Sequence, residues 1–142
     1  MRPGGRPARF AFALAFTLAL ASVVGGCASW TETPFVREAS DAASTLSAAA
    51  ELLEASHTER LTGSYVQGAF LDLEESISGL DSELPQLEGR PDDATVKSLA
   101  DELRTTVSIL RMPCLDSSCD WQGQLMKLRD TSDAFTAQLP AP

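Results

Sequence analysis

Residues 96–110, VKSLADELRTTVSIL, decide the fold class of this chain of 142 residues. Apolar side chains recur there at alternating spacings of four and three, and mostly charged or hydroxyl-bearing residues occupy the positions between them. A stripe with this period covers one face of an α-helix, whereas a strand would alternate every second residue. The stripe consists of Val96, Ala100, Leu103, Val107 and Leu110, with Leu99 and Ile109 beside it.

Three further segments carry the same period, and together the four segments predict an all-α fold. Helices of about twenty residues joined by short turns run antiparallel to their sequence neighbours, so we expect an up-down-up-down four-helix bundle over residues 34–140. An alternative is a three-helix body in which the first helix, whose stripe is mostly alanine, packs loosely or serves a partner. The other stripes are Phe35, Ala39, Ala42, Leu46, Ala49 and Leu53; Gly63, Val66, Phe70, Leu73, Ile77, Leu80 and Leu84; and Trp121, Leu125, Leu128, Phe135 and Leu139, which Ser132 interrupts.

Capping residues indicate where the first two helices begin. Thr33 before Pro34 is typical of an N-cap followed by proline at the first helical position, where the missing N–H does no harm. The tetrapeptide SHTE at 56–59 matches a capping box. We therefore expect the second helix to begin near His57. Gly63 and the alanines are expected on seams where helices approach closely.

Prolines and further caps bound the remaining helices. Pro85 and the stretch EGRP at 88–91 are expected to end the second helix, and Pro113 to stop the third. Asp92 or Asp93 is the expected cap of the third helix, and Ser117 with Asp120 of the fourth. The predicted helices cover 34–55, 57–84, 93–112 and 118–139.

The first 26 residues have the three-part layout of a secretory signal. Residues 1–9 are short and basic, residues 10–24 form an unbroken run of apolar or small residues, and two glycines follow. The run is shorter than the roughly 20 apolar residues that a membrane-spanning helix needs. We therefore expect residues 1–26 to be removed.

The expected cut lies within Val24-Gly25-Gly26-Cys27, which is an aliphatic residue, two small residues and a cysteine. This tetrapeptide resembles the lipobox of bacterial lipoproteins, and the resemblance covers the signal region alone. It implies that Cys27 receives a diacylglycerol thioether and that lipoprotein signal peptidase cuts before it. In many bacteria a further acyl chain, such as palmitate, is added to the freed amine. Two or more chains hold a protein stably at a membrane, whereas one chain holds it marginally.

Two other outcomes stay open for this segment. An ordinary signal peptidase that cuts around Gly26-Cys27-Ala28 would release a secreted protein, and an uncut segment would stay as an anchor. Lipidation predicts a protein on the extracytoplasmic face of the cell membrane or outer membrane. Residues 27–33 then form a tether of about 20 Å, which keeps the bundle near the headgroups. Trp30 is expected either at the membrane interface or against the bundle.

The charge of the mature chain argues against nucleic acid as a partner. Three of the eleven basic residues lie in the first 26, and all twenty acidic residues follow them. Eight basic and twenty acidic residues remain, which gives a formal charge of −12. Phosphates repel so acidic a body, and acidity of this kind is typical of a solvated helix surface.

Cys114 and Cys119 form an even pair in an exported chain, so we expect a disulfide between them. The disulfide would clamp the turn between the third and fourth helices. Four residues separate the two cysteines, whereas a thiol-redox motif has two. A zinc site would need two more ligands, and none has suitable spacing nearby.

The other candidate groups favour a non-enzymatic protein without a metal or cofactor. Glu54 and His57 have the Glu-x-x-His spacing of di-iron bundles, but the predicted helix break passes through the motif. His57 is the one histidine of the chain, which leaves no Ser-His-Asp or Cys-His system, and we expect it to be exposed. The pairs Glu74-Glu75 and Asp101-Glu102 are expected on solvated faces, and Tyr65, Phe70 and Trp121 in the core.

The sequence therefore predicts a lipoprotein that acts as a non-enzymatic binding or accessory module of the cell envelope. Its expected partners are the membrane, through the lipid, and a protein of the envelope. The alternative function is to carry a small apolar ligand or lipid in a cavity between helices. A filled core counts against a carrier, and an exposed apolar patch favours a protein partner.

Overall fold

The computed structural model describes residues 32–59 and 61–142, and the secondary structure of these residues is entirely helical. Residues Thr33–Pro142 form one compact unit with its own hydrophobic core. The helices are α1 (Pro34–Thr58), α2 (Gly63–Ile77), the short α3 (Leu80–Glu83) with a 3-10 turn at Leu84–Gln86, α4 (Asp93–Arg111) and α5 (Trp121–Thr136). The predictions for Val24, Gly25, Gly26, Cys27 and Trp30 concern residues outside the described ranges.

The four long helices form a ring of antiparallel neighbours. α1 packs against α2 and α5, and α4 packs against the same two helices. The start of α1 lies beside the α2–α4 connection, where the Phe35 amide donates to the Glu88 carbonyl. The end of α1 lies beside the α4–α5 connection, where His57 contacts the Cys114 carbonyl. The predicted up-down-up-down four-helix bundle is therefore confirmed.

The alanine-rich face of α1 is buried, and its largest contact is with α5. Ser132, which interrupts the stripe of α5, is buried as well, and its hydroxyl donates to the Ala43 carbonyl at 2.8 Å. Because a serine side chain is short, this bond requires the two helices to lie close together. The alternative of a three-helix body with a loosely packed first helix is therefore wrong.

The predicted capping box at 56–59 does not form. α1 continues through Thr58, and the hydroxyls of Ser56 and Thr58 donate to carbonyls of the preceding turn of α1. These side chains therefore complete the end of α1 and do not begin the next helix. α2 starts only after Thr62, at Gly63. Gly63 is exposed, and a Cβ atom there would meet nothing within 4 Å, so the prediction that it lies on a helix seam is wrong.

A break at Gly79 divides the segment that the sequence predicts as a single second helix. Gly79 has a φ of 87°, a left-handed conformation that glycine adopts without the steric cost of a side chain. The chain then resumes as α3 and ends in the 3-10 turn. The apolar stripe runs through the break, because Ile77, Leu80 and Leu84 are all buried. This continuity explains why periodicity alone predicts an unbroken helix to residue 84.

Three of the predicted caps are confirmed. The side chains of Thr33, Asp92 and Asp120 each accept a hydrogen bond from the amide three residues later. Because Asp120 rather than Ser117 caps the last helix, α5 begins at Trp121 and not at 118. α4 ends as predicted beside Pro113, with Met112 as its C-cap.

The core is one cluster of apolar side chains from all four long helices. Two threonines, Thr106 and Thr131, are also completely buried, and their hydroxyls donate to carbonyls of their own helices. A buried hydroxyl satisfied in this way carries little of the cost of an unpaired polar group. The largest fully buried apolar side chains are Phe35, Phe70, Phe135, Leu46, Leu53, Leu84, Leu103, Leu110 and Leu128.

Candidate functional site

The predicted disulfide between Cys114 and Cys119 is confirmed. We call residues 113–120, which contain this bond, the disulfide loop. The Gln124 side chain holds the first part of this loop from α5. Its carbonyl oxygen accepts from the Cys114 amide at 2.7 Å, and its nitrogen donates to the Met112 carbonyl at 3.4 Å. The loop is thus fixed both by its covalent bond and by the first turn of α5.

His57 holds the same loop from α1. Its Nε2 lies 2.7 Å from the Cys114 carbonyl oxygen, and because a carbonyl only accepts, Nε2 is the donor. The imidazole also stacks on Trp121, with ring centroids 4.2 Å apart and planes 10° from parallel. The prediction that His57 is exposed in the first turn of the second helix is therefore wrong. It lies half-buried in the last turn of α1.

Asp116 gives the disulfide loop a fixed negative charge. The Ser118 hydroxyl and the Ser118 backbone amide both donate to the Asp116 carboxylate. These bonds, the hydroxyl's being the larger cause, hold the pKa of Asp116 below the ordinary value of 3.8. Desolvation raises the pKa of Asp116 by a smaller amount, and a still smaller coulombic effect of His57 lowers it. The carboxylate is therefore ionised throughout the neutral pH range.

The donor atoms of Cys114, Asp116 and Cys119 lie within 4.8 Å of one another. Metal ions bind cysteine as the thiolate, and here the two sulfurs are joined to each other. In the oxidised chain neither sulfur is therefore a thiolate ligand, and the bond between the two cysteines instead holds the disulfide loop closed. The Glu54 and His57 side chains, which the sequence singles out for their spacing, have different partners: Glu54 pairs with Arg129, and His57 donates to the disulfide loop.

The other acidic residues that the sequence singles out lie on the helix surface. Two of them, Glu74 and Asp101, pair with arginines of α4. Exposed pairs of this kind contribute about 0–1 kcal/mol each, so they position helices more than they stabilise them. Glu74 of α2 pairs with Arg111 at 2.8 Å, and Arg104 pairs with Asp81 of α3 at 2.8 Å and with Asp101 of its own helix at 2.7 Å.

An apolar groove of about 510 Å³ opens between α2, the end of α4 and the disulfide loop. Its volume falls within the range of roughly 300–1,000 Å³ that is usual for binding sites. Phe70 and Leu110 are buried beneath it. Leu71 and Met112 form parts of its wall and are 58% and 80% exposed. The groove therefore presents apolar surface that would gain from being covered.

The groove exists because α2 extends further than its neighbour. The Glu74–Arg111 pair joins the two helices at the last residue of α4, whereas α2 continues away from this point to Gly63. Beyond Arg111, α2 has the disulfide loop beside it instead of a helix. The loop leaves Leu71 uncovered.

A second groove, between α1 and α5, has a similar volume of about 520 Å³ but a different surface. Its lining includes Ser40, Ser44, Ser47, Glu51 and Asp133. Water can hydrogen-bond to such a lining, so covering this groove gains little. Of the two grooves, the apolar one is the better binding site.

The apolar groove lies at the end of the bundle opposite to Thr33. α1 runs for 25 residues from Pro34 to Thr58, a length of about 37 Å, and its last turn contacts the disulfide loop. Thr33 and the groove are therefore separated by nearly the whole length of the bundle.

The sequence did not reveal the groove. Of the three aromatic residues expected in the core, Phe70 is buried and Trp121 is half-buried. The prediction for Tyr65 is wrong, because its side chain is 61% exposed. Leu71 and Met112 lie outside the helical stripes, on faces that are otherwise polar. Large apolar residues at such positions are the signal in the sequence that indicates an exposed apolar surface.

No helix among the described residues is both long enough and apolar enough to cross a membrane. Comparison of the chain with protein-family models, curated proteins and solved structures finds no match.

Proposed function

We propose that this chain is a lipid-tethered, non-enzymatic docking module of the bacterial cell envelope. The observation that carries the proposal is the position of the apolar groove, with Leu71 and Met112 exposed in it, beside the disulfide loop at the end of the bundle opposite to Thr33. Large apolar side chains that become buried in a complex are worth roughly 1.5–3 kcal/mol each, which is enough for two of them to dominate a contact.

The tether gives this position its functional meaning. The lipobox resemblance at Val24-Gly25-Gly26-Cys27 supports attachment to the membrane through Cys27, and residues 27–33 connect that cysteine to the start of α1. A bundle held at Thr33 carries the groove at its far end. The groove would then face a partner in the envelope instead of the membrane that holds the lipid.

A carrier of a small apolar ligand is the second candidate, and the packing favours it less. Buried leucines and phenylalanines of the four long helices occupy the space between the helices. The apolar groove lies at the surface, and exposed Leu71 and Met112 border it. A wall of this kind suits a partner that covers it from outside better than a ligand enclosed within the bundle.

We also propose that the chain has no enzymatic activity, which the contacts of its candidate catalytic groups support. The imidazole of His57 stacks on Trp121 and donates to the disulfide loop, so its ring is engaged in structure. Glu74 and Asp101 pair with arginines on the helix surface instead of facing another carboxyl group across a cleft.

The tether is tested by the variant Cys27→Ser, expressed with its signal in a bacterium that makes lipoproteins. We expect wild-type chain in the membrane fraction, with a mass that includes diacylglycerol, and the variant either uncleaved or released. A mature N-terminus downstream of Cys27, or an unmodified thiol on it, would contradict the tether.

The docking surface is tested in the same cells with a photo-crosslinking amino acid at position 112 or at position 126. Met126 is the matched control, because it is 64% exposed but does not line the groove. We expect a defined protein adduct from position 112 that disappears when Leu71→Ser is added, and no such adduct from position 126. Equal adducts from both positions, or none from position 112, would contradict docking at the groove.

A further inference from the structure

We propose that the apolar groove binds a cationic amphipathic helix of an envelope protein. This inference rests on the proposed docking function and adds the chemical class of the partner. Three features carry it: the apolar floor and wall of the groove, the charge of the elements that border it, and its position along α2 past the end of α4.

The groove lies along α2, past the end of α4. Up to the Glu74–Arg111 pair, α4 lies along α2, and beyond Arg111 α2 continues without it. The groove lies beside this part of α2, with Met112, Pro113 and Cys114 on its other side. Helices pack with their axes about 8–10 Å apart, and their ridges of side chains fit the grooves of a neighbouring helix. A helix from a partner can therefore lie along α2 with its apolar face between Leu71 and Met112, which is the helix-in-groove mode of recognition.

The floor and wall select the apolar face of that helix. Phe70 and Leu110 lie beneath the groove, and Leu71 and Met112 rise beside it. Methionine adapts its shape to different partners because its chain is unbranched and flexible. Leucine-like side chains spaced three and four residues apart along a partner helix would fill this surface.

The charge of α2 and the disulfide loop, the two elements that border the groove, selects positive charge on the polar face of that helix. α2 and the disulfide loop contain no lysine or arginine, and they carry five carboxylates. Glu75 follows Leu71 by one helical turn and lies on the same side of α2. Arg111 is the cation that lines the groove, and Glu74 already pairs with it. The five carboxylates are Asp72, Glu74, Glu75, Asp116 and Asp120.

The test uses the unlipidated mature chain, residues 28–142, which contains the whole compact unit and its core. The probe is a fluorescent amphipathic peptide of about 18 residues with leucine on one face and lysine on the other. A matched peptide replaces every lysine with glutamate. We expect the leucine-lysine peptide to bind about tenfold or more tightly than the leucine-glutamate peptide, measured by fluorescence anisotropy. Raising the salt concentration from about 0.05 M to about 0.5 M should weaken its binding.

Paired variants locate the binding. The double variant Leu71→Ser, Met112→Ser should weaken the leucine-lysine peptide about tenfold, whereas Met126→Ser should leave its affinity unchanged. Neutralising two carboxylates that border the groove, with Glu75→Gln and Asp116→Asn, should also weaken the binding of the leucine-lysine peptide. The control removes the same charge elsewhere, with Glu51→Gln and Asp133→Asn in the polar groove between α1 and α5. The four side chains substituted in the groove (Leu71, Met112) and beside it (Glu75, Asp116) are exposed, so the variants should keep the circular dichroism and melting of the wild type.

Each other outcome overturns the inference in a distinguishable way. Equal binding of both peptides, lost in the Leu71→Ser, Met112→Ser variant, would overturn the cationic class and leave the docking function in place. Binding of oleate, with no binding of either peptide, would overturn the helix and identify the groove as a lipid site. Binding that the control variants weaken as much as the groove variants would overturn the location.

Discussion

At the end of the bundle that begins with Thr33, the connection between α2 and α4 folds closely over the start of α1. At the opposite end, the disulfide loop crosses the bundle but leaves part of α2 uncovered. We call the first the tether end and the second the groove end. The tether end is closed by the Phe35–Glu88 backbone hydrogen bond and by the close approach of Gly89 to Thr33.

This difference separates the part of the chain that seals the core from the part that can bind. A loop that packs closely over a core excludes water from it but leaves no surface for a partner. The disulfide between Cys114 and Cys119 fixes its loop covalently, so the loop need not bury Leu71 or Met112 to keep its position. The groove end can thus be rigid while its apolar groove stays uncovered.

The largest expected effect compares phenylalanines of the two ends. Phe35→Ala at the tether end should lower the free energy of unfolding by about 3–5 kcal/mol, because it leaves a cavity in a closed part of the core. Phe70→Ala should cost about 2–3 kcal/mol, because the vacated space joins the groove and the surroundings can relax into it. Urea denaturation of both variants measures the difference.

These two side chains make a matched pair, since Phe35 is 2% exposed and Phe70 is 1% exposed. Burial alone therefore predicts the same loss for both. Equal losses would mean that the two ends seal the core equally well, and the comparison between them would fail.

A smaller effect compares two glycines that share a left-handed backbone. Gly89, at the tether end, has a φ of 82°, and Gly79, in the α2–α3 break, has a φ of 87°. The backbone strain of an alanine at either position is about 1–2 kcal/mol. A Cβ atom at Gly89 would also overlap the Thr33 side chain, whereas one at Gly79 would meet nothing within 4 Å.

Gly79→Ala should therefore lower the free energy of unfolding by about 1 kcal/mol. Gly89→Ala should lower it by about 2–3 kcal/mol, because this variant also displaces the Thr33 cap of α1. Thermal or urea unfolding measures both. If Gly89→Ala cost no more than Gly79→Ala, the tether end would not be closely packed at this contact.

The predictions from sequence succeeded where one short segment determines the outcome. The four apolar stripes place the core, and Thr33, Asp92 and Asp120 cap their helices as expected. In each case the necessary residues lie within a few positions of one another. The spacing of Cys114 and Cys119 belongs to the same class, because five positions along a turn are enough to form the disulfide.

The predictions failed where two local solutions compete. The tetrapeptide at 56–59 can cap a new helix or complete an old one, and the contact between His57 and Cys114, 57 positions apart, accompanies the second solution. The apolar groove depends in a similar way on how far α2 runs past the last residue of α4, Arg111. Such relations between distant segments are not encoded in a periodic pattern.

The smallest expected effect tests how the groove end is held. His57→Ala removes the hydrogen bond to the Cys114 carbonyl and the stack on Trp121, and it should lower the free energy of unfolding by about 1–2 kcal/mol. The fluorescence of Trp121 should change as well, because the ring loses the imidazole that covers it. Thr58→Ala is the matched control: Thr58 is the next residue, and its hydroxyl bonds to Glu54 within α1. Equal losses in the two variants would show that His57 acts only through the end of its own helix, and that the disulfide alone fixes the loop beside the groove.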